Sequence, residues 1–346
     1  MILSSLKKRL RNYCDRLLAP ETDWIQVEVS SHCNASCAYC PRTVYRDTWI
    51  NRNLSLAVFK KLLPAIANTE LVFLQGWGEP FLNPDIFTMI VLAKKVGCRV
   101  GTTTNGMLLD NWRMNRLIEC GMDIVSFSIA GLDDMNDTLR KGTRLEAVLN
   151  IIRKLNQEKK NRGLTKPAIH ISYLLFRSGL KDLARMPDVL MDLGINQVVI
   201  STLDFVPTEE YEDETLSPSN TAEYDELLSY LDGVKATAER VGLQVHYNLE
   251  RANKARGSCS ENPQRSFYIS SDGTVSPCVF TNLPVSNVSY SFHGEKFPYE
   301  QLTFGNIRNH SISAIWRQKE YAAFRRSFDT GLLTPACRNC HKLYVD

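Results

Sequence analysis

The chain has 346 residues, 44% of them apolar and 23% charged, with a net charge of +3. That length allows one large α/β domain plus a smaller one, and the small charge gives no reason to expect a nucleic-acid partner. No apolar run approaches a membrane span. Charges interrupt the opening MILSSLKKRLRNYCDRLL, so it does not read as a signal peptide or predict stable membrane insertion. A cytoplasmic protein is expected, and there disulfides are rare. The 10 cysteines therefore point first to metal.

Residues 1–23 carry Leu3, Leu6, Leu10, Tyr13 and Leu17 at helical spacing among five basic residues, which predicts a basic amphipathic helix. From residue 24 strands and helices alternate. WIQVEVS (24–30), ELVFLQG (70–76), RVGTTTNG (99–106), MDIVSFSIAG (122–131), AIHISYLLF (168–176) and NQVVIST (196–202) read as strands. Helical patterns cover 54–66, 84–97, 110–121, 133–160, 180–194 and 219–242. Six such repeats over 24–245 predict an α/β fold, a partial (β/α)6 TIM-like barrel with right-handed crossovers. Chemistry in such folds sits at the carboxyl ends of the strands. From 246 to 346 the alternation stops. RSFYISSDGTVSPCVF (265–280) predicts a hairpin turning at Asp272-Gly273, and 311–328 predicts a helix. This part is expected to be a smaller α+β domain.

Cys14, Cys98 and Cys120 stand alone and read as small buried hydrophobes. The other seven form two sets. Cys33, Cys37 and Cys40 lie on the loop after the first strand; Cys259, Cys278, Cys337 and Cys340 lie in the C-terminal part. A structural zinc site wants four ligands, and His32 next to Cys33 would strain a tetrahedron. A cubane iron–sulfur cluster held by three thiolates keeps one iron open. The four-cysteine set suits either a closed cubane or zinc.

Cys33-x-x-x-Cys37-x-x-Cys40, with Tyr39 before the last cysteine, resembles the radical S-adenosylmethionine (radical SAM) superfamily. GWGEP (76–80) resembles its Gly-Gly-Glu-Pro motif, with Trp77 as a departure. TNG (104–106), SIAG (128–131) and DTLRKG (137–142) follow in family order, with Ala130 in place of a common acidic residue. DGTVSPC (272–278), FGNIRNHSISAIW (304–316) and PACRNC (335–340) resemble the C-terminal auxiliary-cluster region called SPASM, or its shorter twitch form.

The resemblance implies that Cys33, Cys37 and Cys40 hold a [4Fe–4S] cluster whose open iron binds S-adenosylmethionine (SAM). Reductive cleavage would then give a 5′-deoxyadenosyl radical that takes hydrogen from substrate. Gly76, Gly78 and Glu79 would meet the SAM ammonium, and Arg140 its carboxylate. Asn105 and Ser128 would reach the ribose, and Tyr39 would cover the adenine. Cys259, Cys278, Cys337 and Cys340 would close an auxiliary [4Fe–4S] cluster. A flavodoxin or ferredoxin-type protein would supply electrons.

A closed cluster beside a radical site suits removal of one electron from substrate, hence net oxidation of a small molecule or cofactor precursor, as in the family's aminocyclitol dehydrogenase branch. Peptide modification is the second reading, weakened by the roughly 24 residues before the first strand, which leave no room for a peptide-recognition domain. A non-catalytic zinc or iron–sulfur module is the third. The acidic loop DFVPTEEYEDETLSP (204–218) either attracts a cationic substrate or is a solvated surface. Tyr173, Arg177 and Asp204, near strand ends, are candidates for the general base.

Overall fold

The computed structural model describes residues 17–249 and 258–344. The expected N-terminal helix lies almost wholly outside the described residues, as does Cys14. One sheet of ten strands organises the rest. Its first six strands are those expected: β1 (Thr22–Val27), β2 (Thr69–Phe73), β3 (Arg99–Thr104), β4 (Ile124–Ile129), β5 (Ala168–Leu174) and β6 (Gln197–Ser201). They pair in parallel in chain order. Between them run α1 (Ile86–Lys95), α2 (Asn111–Glu119) and α3 (Leu145–Asn161), among shorter helical pieces. Residues on β5 alternate half-buried and buried: Ile169, Ile171 and Tyr173 pack into the helix layer, while His170, Ser172 and Leu174 face the barrel interior.

Three departures from the expected fold matter. After α4 (Thr221–Arg240), a seventh parallel strand, β7 (Gln244–Tyr247), pairs with β6 and straddles the expected domain boundary at 245/246. Second, the C-terminal hairpin is not a separate sheet. Its strands β8 (Ser266–Ile269) and β9 (Thr274–Ser276), with β10 (Gly305–Asn306), extend the barrel sheet, because β8 pairs in parallel with β1. The hairpin turns as expected at Asp272-Gly273: Gly273 has φ 89°, and Asp272 accepts from Thr274 N at 2.9 Å. The expected helix over 133–160 is the third departure. It breaks after Leu139, where Arg140–Lys141 pair with Ser36–Cys37 on the cysteine loop. The expected helices at 54–66 and 180–194 are interrupted where Pro64 and Pro187 remove amide donors. Among the described residues no helix is long and apolar enough to cross a membrane.

Candidate active site and metal centres

The loop after β1 folds tightly on its own cysteines. Cys40 N donates to Cys37 O at 3.1 Å, and Ala35 N donates to Cys33 Sγ at 3.4 Å. Ala38 N donates to Leu139 O at 2.8 Å, fixing the loop to the broken helix. Cys33, Cys37 and Cys40 all line a cavity of about 910 Å³ at the carboxyl ends of the strands. Burial, then the neighbouring Cys37, pushes Cys40 up to about 12. Cationic irons held at that loop would favour the thiolate form and offset both effects.

The loops expected to cradle SAM surround the same space, but several side chains have structural duties there. A Cβ on Gly78 would stand 2.4 Å from Ser30 O and His32 O, and one on Gly76 would stand 2.4 Å from Glu28 Cγ. The glycines therefore serve close approach between two loops of the chain. Glu79 is buried and accepts from Thr104 Oγ1 (2.8 Å), Phe81 N (3.2 Å) and Asn105 N (2.8 Å). It is a strut between the loops after β2 and β3. Asn105 is similarly engaged: its Nδ2 donates to Asn34 Oδ1 at 2.8 Å and lies 3.8 Å from Cys33 Sγ.

Arg140 is the freer group. It is buried, its Nη1 donates to Tyr39 OH at 2.7 Å, and its Nε has no partner. An orphaned guanidinium nitrogen beside the cysteine loop fits an incoming carboxylate. Tyr39 tilts against Phe176 at 5.2 Å, and Ser128 faces the cavity. Arg140→Gln is expected to weaken SAM binding at least about tenfold while leaving the iron content intact. Equilibrium binding and elemental analysis on the reconstituted protein check both halves.

The four remaining cysteines enclose a second cavity of about 440 Å³. Cys259 lies where Ser258–Cys259 pairs with Leu343–Tyr344, Cys278 follows β9, and Cys337 sits on the turn Pro335–Arg338 just before Cys340. Burial raises all four thiols, and Cys340 reaches about 12. Among the described residues no three His, Cys, Asp or Glu side chains close around a single ion position. A cubane carries each thiolate on a different iron, so four cysteines around a roomy apolar cavity fit it better than they fit zinc.

Between the two cavities lies a junction that the sequence did not reveal. Asp204, Phe205, Glu261, Phe280 and Lys342 line both. Lys342 Nζ stands 2.7 Å from Asp204 Oδ2 and 3.5 Å from Glu261 Oε1, and all three side chains are nearly buried. Burial alone would pull Lys342 down, but Asp204 and Glu261 outweigh it and hold the ammonium charged. Trp77, the departure from the family motif, ties the halves together. Its indole donates to Val279 O at 3.2 Å and meets Phe280 edge-on at 5.8 Å. Beneath it Glu28 accepts from Trp77 N and Ser271 N, each at 3.0 Å.

Two of the three candidate bases fall away from the cavity. Tyr173 is buried in the helix layer on the opposite face of β5, because an odd position on that strand points outward. Arg177 pairs with Glu223 at 3.1 Å and donates to Thr215 O, outside the cavity lining. The acidic loop beyond Phe205 is likewise engaged elsewhere: Glu212 accepts from Gly294 N and Glu214 from Ser178 N, and neither lines the cavity. Of the three candidate bases, Asp204 lines the cavity. Cys98 and Cys120 are buried, as expected.

Comparison with known proteins agrees with this geometry. The profile of the radical SAM superfamily matches residues 27–173, and that of the SPASM iron–sulfur cluster-binding domain matches 259–341. The chain is 26% identical over 321 residues to a tungsten-containing aldehyde ferredoxin oxidoreductase cofactor-modifying protein of Pyrococcus furiosus, covering 92% of this chain and 86% of that one. It is 24% identical over 329 residues to a PqqA peptide cyclase of Bradyrhizobium diazoefficiens, covering 93% and 79%. The fold matches Streptococcus suis SuiB bound to S-adenosylmethionine with a TM-score of 0.65 at 16% identity, over 93% of this chain and 72% of that one.

Proposed function

This chain belongs to the radical SAM superfamily and carries a C-terminal SPASM region, and on that premise we propose a net two-electron oxidation of a small molecule or cofactor precursor. The observation that supports this reading is the Asp204–Lys342–Glu261 junction, which faces both the barrel cavity and the four-cysteine cavity. When bound, SAM on the three-thiolate [4Fe–4S] cluster supplies a hydrogen-abstracting radical, and the four-thiolate cluster supplies a sink for one electron. The substrate loses one hydrogen atom, one proton and one electron, a total of two hydrogens.

The chain's own residues manage the proton and the geometry. Asp204 takes the proton: its Oδ2 is held by Lys342 and its Oδ1 accepts from Thr202 Oγ1 at 2.9 Å, so the carboxylate is fixed at the cavity wall. Arg140 and the loops strutted by Glu79 seat SAM. The aromatic wall of Trp77, Phe205 and Phe280 excludes water between the two centres. A flavodoxin or ferredoxin-type protein is the proposed electron donor.

Asp204→Asn keeps the size and removes the proton acceptor. It is expected to lower product formation about a hundredfold or more, while 5′-deoxyadenosine still forms. Equal loss of both would assign Asp204 to SAM binding instead. The reading as a whole is tested by anaerobic reconstitution and reduction: absence of 5′-deoxyadenosine would sink it.

A second reading, modification of a peptide side chain, draws on the likeness to PqqA peptide cyclases. A mass change in a precursor peptide encoded beside this chain would select it. No change in any such peptide, together with a small-molecule product two hydrogens lighter, would select the first.

A further inference from the structure

Barrels of parallel strands are ordinarily packed solid with branched side chains. Here Ser126, Ser128, Ser172 and Ser201 face inward, and the cavity that begins at the cysteine loop continues between them toward the amino ends of the strands. Its far end is basic. Arg99, the first residue of β3, His170 of β5 and His246 of β7 line it together with Gln197, the first residue of β6. These groups share one space. Burial, followed by the charges of His246 and Arg99, pushes His170 down to about 4.

The cavity is segregated by charge. Its carboxylates, Glu79, Asp204 and Glu261, all lie toward the loop end, and none lines the basic end. Among the described residues Arg99 has no ion-pair partner, and both it and His246 are exposed at that end. A second, independent observation points to a ligand in the lumen. Gln26 on β1 is 3% exposed, faces the cavity, and its Nε2 has no hydrogen-bond partner. A buried amide left unpaired is costly unless something enters to meet it.

We propose that the amino end of the barrel cavity is a subsite for an anionic group, a carboxylate or phosphate, at the end of an elongated substrate. Arg99, His170 and His246 hold the anion, and Gln26 meets a polar atom along the substrate's length. The C–H to be attacked then lies at the cysteine loop. Arg99 and Asn105 are six residue steps apart on β3 and the loop beyond it, about 20 Å at the rise of an extended strand. Asn105 touches the cysteine loop, so the substrate spans a distance of that order. This inference rests on the reading that the barrel cavity takes the substrate.

The test uses the full chain, anaerobically reconstituted and labelled with 13C-histidine, with signals assigned through His170→Asn and His246→Asn. Inorganic phosphate and, separately, acetate are titrated while the imidazole resonances are followed. Saturable movement of both His170 and His246 is expected, larger for whichever anion class the site prefers. Arg99→Gln should weaken the response at least about tenfold, and Arg99→Lys should retain most of it. Silent histidines with both anions, or an unchanged response in Arg99→Gln, would overturn the subsite. 5′-Deoxyadenosine formation is measured on the same samples. Cleavage with silent histidines removes the subsite and leaves the enzyme reading standing; responding histidines without cleavage do the reverse.

Discussion

Cys37→Ala is expected to abolish reductive cleavage of SAM, with a loss greater than about a hundredfold in 5′-deoxyadenosine formed. The loop offers three thiols, and a cubane held by two has no stable place to leave one iron open. Cys37 is also the residue at which the loop pairs with Arg140. That contact is through the backbone, so Ala preserves it and the effect isolates the sulfur. Iron content should fall to about half, since the C-terminal set is untouched. Measured cleavage near the wild-type rate would show that these cysteines do not hold the reactive cluster.

Cys278→Ala is expected to separate cleavage from product. Cleavage should fall less than about tenfold, whereas product should fall more than about a hundredfold. The reason is spatial. Cys278 lines the 440 Å³ cavity and not the barrel cavity, and the two communicate through Asp204, Lys342 and Phe280. Removing it leaves three thiols around a cavity also lined by Phe280, Tyr290 and Phe324, too few to close a cubane. Assaying 5′-deoxyadenosine and substrate turnover in one sample checks both halves. The inverse pattern, with cleavage lost and iron retained, would exchange the roles of the two sets.

Much of this was legible in the chain because it depends on local pattern. Six strand–helix alternations are each visible within a short window, and so are the hairpin signal at Asp272-Gly273 and the spacing of Cys33, Cys37 and Cys40. What escaped depends on contacts between distant segments. β7 is four residues long with an exposed start, too short to carry a period. The docking of β8 on β1 joins opposite ends of the chain. Asp204, Glu261 and Lys342 come from three separate segments, and only Asp204 had a strand end to point to it.

Tyr173 is a different case. The alternation of His170 and Ser172 with Ile169 and Ile171 already places it on the outward face, so strand phase was the signal to use. Gly76 and Gly78 look like ligand-approach residues in a motif, yet the atoms that crowd them belong to Glu28, Ser30 and His32. Both glycines also line the barrel cavity, so the motif joins two loops and borders that cavity at once.

Three thiolates would leave one cluster open to SAM, and four would close the other. Electron paramagnetic resonance of the reduced, reconstituted protein, with and without SAM, distinguishes the two. Two cluster signals are expected, only one of which shifts on adding SAM; that signal should persist in Cys278→Ala and vanish in Cys37→Ala. A SAM-sensitive signal that survives Cys37→Ala and is lost in Cys278→Ala would contradict this assignment, as would protein that binds zinc and no sulfide.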